Sequence, residues 1–101
     1  MPQQITGTVT PGAAPTVVLP PCGTAWTQYP NRRLHLGMDE IGAPDVEATV
    51  RVALHDGNAW STPKTVTAAG GRVDVDGMTA AIQKVSLQTI STGVAYAVES
   101  W

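Results

Sequence analysis

Phenylalanine is absent from this chain, cysteine occurs once, and charged residues fill only 14% of its 101 positions. Each shortage excludes something. A single cysteine, Cys22, allows no disulfide within the chain. It lies among prolines and a glycine with no catalytic signature around it, so it reads as a small structural residue. Basic residues cluster nowhere beyond Arg32-Arg33, and the net charge is −2. Binding nucleic acid by neutralising phosphates needs a basic face, so that partner is excluded. No apolar run approaches the ~20 residues of a membrane-spanning helix, and no membrane partner is expected. The opening MPQQITGTVT has neither a basic start nor an apolar segment after it, so no signal peptide is expected and synthesis belongs in a cytoplasm. Charge is scarce against a typical ~25%. Either part of the surface is turned toward a partner, or Thr, Ser and Gln keep it soluble.

What the chain has in quantity is Thr and Val, 13 and 12 of them, whose β-branched side chains suit a pleated surface. Ten glycines and eight prolines fall between the Val/Thr-rich runs. Helix signals are nearly absent. Length and pattern together predict one all-β domain: a small antiparallel β-sandwich of seven or eight strands, immunoglobulin-like or jelly-roll-like. Residues 1–31 are expected to form an N-terminal strand and a proline-rich extended arm, because TPGAAPTVVLPPCGTAWTQYPN carries five prolines that cannot donate to a ladder. Residues 32–101 are expected to form the sandwich body.

Alternation marks the strands. Gln4 to Thr10 and Thr16 to Leu19 come first. Arg32 to Met38 sets Leu34 and Leu36 against Arg33 and His35. In Ala48 to His55, Ala48, Val50, Val52 and Leu54 share one face. Asp56-Gly57 then signals a hairpin tip. Ala59 to Thr67 is the expected return strand, with Pro63 at an edge or bulge. Gly70-Gly71 is the next turn, and Arg72 to Asp76 completes a three-stranded meander. GMTAAIQK offers one helical turn capping the core. Val85 to Thr89 and Val94 to Trp101 close the chain.

Chemistry is harder to find. No Ser or Cys stands beside a base in a recognisable arrangement, and no glycine-rich loop opens a helix. His35 and His55 each fall on the polar face of a strand; with Asp56 they could form a metal site, but their spacing is no ligand motif. Asp74-Val75-Asp76-Gly77 lacks the later ligands of a calcium loop and reads as a strand end. Asp39 and Glu40 are adjacent on a loop, unlike a carboxylate pair across a cleft. No catalytic residue, metal or cofactor is expected.

The aromatics are Trp26, Tyr29, Trp60, Tyr96 and Trp101. Trp and Tyr join an apolar face to a polar handle, which suits interfaces and sugar stacking. Trp60 and Tyr96, within strands, are assigned to the core first; Trp26 and Tyr29 are placed to grip a neighbour; Trp101 is expected to pack on something. The candidate contacts to a partner or glycan are therefore Trp26, Tyr29, Asp56, Asn58, Trp60 and Trp101.

Two resemblances bear on this. VEATVRVALHDGNAWSTPKTVT, Val46 to Thr67, resembles the closing hairpin of fibronectin type III and related immunoglobulin-like domains through Val50, Arg51, Val52, Gly57, Asn58, Trp60, Ser61, Pro63, Val66 and Thr67. More than thirty residues follow it here, so it implies a β-sandwich and not that topology. The chain as a whole is similar in size and Ala/Thr/Val/Gly-rich, Cys-poor composition to small structural proteins of tailed bacteriophages. These include head decoration proteins and fibre modules, and the likeness extends to the terminal phrase TGVAYAVESW. That resemblance implies a non-enzymatic virion component, most directly a capsid decoration or cement protein. Its partners would be the major capsid protein or other virion proteins, and it would be a homo-oligomer, with a trimer matching local lattice symmetry. The alternative is a carbohydrate-binding or adhesion sandwich.

Overall fold

The computed structural model describes residues 3–12, 14–20, 31–43, 45–90 and 92–101. Eight strands follow in order: β1 Gln3–Val9, β2 Thr16–Val18, β3 Arg32–Gly37, β4 Glu47–His55, β5 Lys64–Ala69, β6 Arg72–Asp74, β7 Lys84–Thr89 and β8 Val94–Ser100. No α-helix occurs among the described residues. A 3-10 turn at Asp39–Ile41 interrupts the loop after β3. No helix is long and apolar enough to cross a membrane among the described residues.

The strands form two antiparallel four-stranded sheets, β1-β8-β3-β6 and β2-β7-β4-β5. Pairs β1–β8, β2–β7, β3–β6 and β4–β5 are all hydrogen-bonded, like one long hairpin with its tip between β4 and β5. Rolling that hairpin up brings β8 against β3 and β7 against β4, which completes both sheets. This is the jelly-roll arrangement, and of the two expected sandwich types it is the one present. Immunoglobulin-like sandwiches group their strands differently. The Val46-to-Thr67 hairpin thus lies at the fold's turning point rather than at its end.

Residues 1–31 contribute a strand to each sheet. β1 is one edge of the first and β2 one edge of the second. The proline-rich stretch at 21–30, with Cys22, Trp26 and Tyr29, lies outside the described residues.

Alternation places the core as expected. Leu34, Leu36, Met38, Val94 and Val98 from one sheet meet Val50, Val52, Val85 and Leu87 from the other, each with no exposed surface. The fully buried apolar residues are aliphatic or Met, with Tyr96 packed partly against them.

Three expectations need correction. The meander does not form. At Gly70-Gly71 the chain leaves one sheet for the other, and β6 pairs with β3 through His35↔Asp74, Leu36↔Val73 and Gly37↔Arg72. Gly70 O accepts from Met38 N and Asp39 N at 3.0 and 3.1 Å, which fixes this corner against β3. The return strand begins later than expected, at Lys64. Val52 pairs with Lys64 while His55 bridges to Trp60, so Ser61, Thr62 and Pro63 oppose only Ala53 and Leu54. That extra residue is a bulge, the structure Pro63 suggested. Finally, Trp60 is not in the core: it is 44% exposed. Directly opposed residues of an antiparallel pair share a face, so pairing with outward-facing His55 turns Trp60 outward. Tyr96 is half-buried against the core, its hydroxyl lying over Gly7. In the GMTAAIQK segment a single turn forms, with Ile82 N donating to Thr79 O, and of Ala80, Ala81 and Ile82 only Ile82 is buried.

Gly37 shows how tightly the corner is built. A Cβ there would lie 2.6 Å from the backbone oxygen of Gly71, which has no freedom to retreat. Gly37→Ala is expected to cost about 1–3 kcal/mol through overpacking. Gly12→Ala, with open space around its Cβ, is expected to change stability by less than about 0.5 kcal/mol. Urea unfolding of the two variants measures the difference.

Candidate functional site

The outward face of the β1-β8-β3-β6 sheet carries the densest polar arrangement among the described residues. His35, on the central strand β3, has only 4% of its surface exposed although its strand face looks outward. Its Nδ1 lies 2.8 Å from Asp74 Oδ1 on β6, and its Nε2 lies 2.8 Å from Glu99 Oε1 on β8. Gln4 Nε2, on β1, donates to the same Glu99 oxygen at 3.2 Å. The chain Gln4–Glu99–His35–Asp74 therefore crosses all four strands in their sheet order.

A carboxylate only accepts hydrogen bonds, so both contacts to His35 are hydrogen bonds when both ring nitrogens carry protons. The imidazole lies between two carboxylates, and a hydrogen bond to either one is charge-assisted. The His35 hydrogen bond is the largest influence holding the carboxyls of Asp74 and Glu99 below their ordinary range; Arg33 and Arg72 add to it. With both nitrogens engaged, His35 offers no free lone pair to a substrate proton or to a metal.

Beside this chain runs a groove of about 360 Å³. Its floor is small, made by Gly37, Ala95 and Ala97. Thr6 and Thr8 of β1 line one side and Arg72 the other.

The hairpin tip is a separate place. Asp56 Oδ1 accepts from Asn58 N and Ala59 N at 2.9 and 3.0 Å, so its carboxylate is spent on holding the turn. Those two backbone donors hold its carboxyl below the usual range. Gly57, at φ 97°, takes the conformation that a side chain would resist, and its N–H donates to His55 Nδ1 at 3.0 Å. The His55 and Trp60 rings meet edge to face at 4.9 Å. Asp56 and Trp60 also border a hollow of about 430 Å³ with Lys64 and Ile82. The tip accordingly brings together Asp56, Asn58 and Trp60, three of the six candidate contacts.

Trp101 is elsewhere, at the end of β8. The Arg33 guanidinium sits 4.9 Å from its ring centroid, a cation–π contact that covers part of an otherwise open indole. Trp26 and Tyr29 lie outside the described residues. The metal site imagined from His35, His55 and Asp56 does not assemble. His35 belongs to one sheet and His55 to the other, and no group of three potential ligands converges among the described residues.

The sequence pattern places His35 on a polar strand face, as a solvent-facing or interface side chain; the structure buries it between two carboxylates of its own sheet. Its partners are 39 and 64 residues away. Only the pairing of β3 with β6 and β8 reveals them.

Comparison of the chain with protein-family models, curated proteins and solved structures gives no match.

The polar chain has a consequence for acid stability. A carboxyl whose folded pKa is lowered contributes stability that is complete above its unfolded value, near pH 4, and lost as pH falls through the folded value. Wild-type protein should lose thermal stability below about pH 4, partly through Asp74 and Glu99. His35→Ala should lower stability at pH 7 by about 1.5–3 kcal/mol, toward the low end because Asp74 is largely solvated. It should also make the acid limb shallower, since only groups such as Asp56 keep their lowered values. Calorimetric midpoints from about pH 7 to 2 check both; parallel curves for the two proteins contradict this account.

Proposed function

We propose that the chain is a non-enzymatic structural protein of a virus particle, a capsid decoration or cement protein of a tailed bacteriophage that binds the coat lattice. The observation that carries this reading is the complete eight-strand jelly-roll order. That architecture recurs in viral capsid and lectin domains. The support is an analogy of fold, and function is carried by sites rather than folds. Composition adds to it: few charges, a proline-rich stretch in the first third of the sequence, and the resemblance to phage structural proteins. On this reading the sandwich lies on coat subunits while residues near the arm reach a neighbour, and many weak contacts add up through repetition. The test is direct. Particles purified from cells that express the gene during infection should contain the chain in stoichiometric proportion to coat protein by mass spectrometry. Its absence from particles overturns the proposal.

A carbohydrate-binding role is the second reading, and one observation favours it. Trp60 is a large aromatic left 44% exposed beside a hollow, next to Asp56 and Asn58. A sugar stacking there would change tryptophan fluorescence, and Trp60→Ala would remove the response. A flat titration against a broad oligosaccharide panel excludes this reading.

A further inference from the structure

We infer that the free edge of β1 is a self-association surface, which pairs antiparallel with β1 of a second copy to join two four-stranded sheets into one of eight strands. The inference rests on the edge alone and holds whether or not the chain belongs to a particle.

The two sheets have four edges, β1, β6, β2 and β5. Proteins ordinarily blunt such edges with short strands, charges, prolines or bulges. Three edges here are blunted. β2 and β6 have three residues each. Pro15 and Pro20 bracket β2, and β6 carries the charges of Arg72 and Asp74. β5 starts with Lys64, directly after the bulge at Pro63. β1 has none of these protections. It is seven residues long, QQITGTV, with no charge and no proline. Among the described residues, 4–8 make no backbone hydrogen bond outside the β8 ladder. Alternate N–H and C=O groups along this strand point away from β8, ready for another strand.

The composition of β1 selects a second copy as the occupant. A strand pairing with itself about a two-fold axis sets each residue near its own equivalent, so any charge would meet the same charge. An uncharged strand has no such conflict, and threonines facing each other across strands form favourable pairs. Directly opposed residues must share a sheet face, so the register centred on Thr6 sets Thr6 opposite Thr6, Gln4 opposite Thr8 and Ile5 opposite Gly7. That last pair answers a feature of the lone chain. Ile5 points to the inner face yet is 40% exposed; among the described residues no further strand flanks β1. Pairing sets Ile5 beside the Tyr96 hydroxyl that lies over the facing Gly7 and covers part of its exposed surface.

Sedimentation velocity of the full chain should show a dimer. Thr6→Lys puts two ammonium groups face to face at the axis and should raise the dimer dissociation constant at least about tenfold. Because Thr6 is exposed on the single chain, circular dichroism of that variant should stay that of a folded β protein. A second measurement does not depend on that variant. In a Cys22→Ser background, Thr6→Cys should cross-link chain to chain with a short bis-maleimide, and Thr65→Cys, on the β5 edge, should not. A wild-type monomer, a dimer unaffected by Thr6→Lys, or equal cross-linking from both positions overturns the inference; a monomer would leave the edge to a strand of another protein.

Discussion

An imidazole lying 2.8 Å from carboxylates on both neighbouring strands sets the register of β3 against β6 and β8 together. Side chains alternate between faces with a period of two, so a slip by one residue would carry His35 into the core and Leu34 and Leu36 out of it. The opposite face enforces the same register, because Leu34, Leu36 and Met38 have no exposed surface. One face of β3 is fixed by burial, which lacks direction, and the other by charge-assisted bonds, which have it. The corner at Gly70-Gly71 depends on this. Its carbonyl can receive Met38 and Asp39 N–H groups only while β3 holds its place.

Local alternation made β3, β4, β7 and β8 legible from the sequence, since each sets a mainly apolar face against one of polar or small residues. The same pattern could not say which strand lies beside which. Gly70-Gly71 has the chemistry of a tight turn, and tight turns connect strands within a sheet or across a corner with equal ease. Val73 alternates the same way in both cases. The choice was made by residues far off in sequence, Leu36 and Gly37, which the local pattern does not contain. Trp60 failed for a narrower reason. Its assignment to the core assumed an unbroken return strand, and the extra residue opposite Ala53 and Leu54 gave it the facing of His55 instead.

The candidate contacts divided according to what else their side chains must do. Asp56 looked available because it is polar and at a tip, yet its carboxylate closes the turn through Asn58 N and Ala59 N. Trp101 is partly occupied by Arg33. Trp60 is left with an open ring surface, its edge held by His55. His35, the residue with the most chemical potential by type, is the most fully committed by geometry. Tasks internal to the fold thus use up most polar groups that a sequence would nominate for function, and the uncommitted surface is backbone edge, small-residue groove and indole.

The polar chain and the open edge are connected. Gln4 ends the chain that begins at Asp74, and it belongs to β1, an edge strand of the sheet among the described residues. Edge strands are ordinarily the first part of a sheet to fray, because one side of their ladder is missing. Here a side-chain tie to Glu99 adds to the backbone ladder at the end of β1 where burial is least, among exposed residues 3–6. Val9 anchors the other end in the core. A strand secured at both ends presents its free edge as a straight template rather than a fluctuating one, and a straight template loses less conformational entropy on pairing. The ionic arrangement at the centre of the sheet therefore bears on association at its margin, through the one amide side chain that joins them.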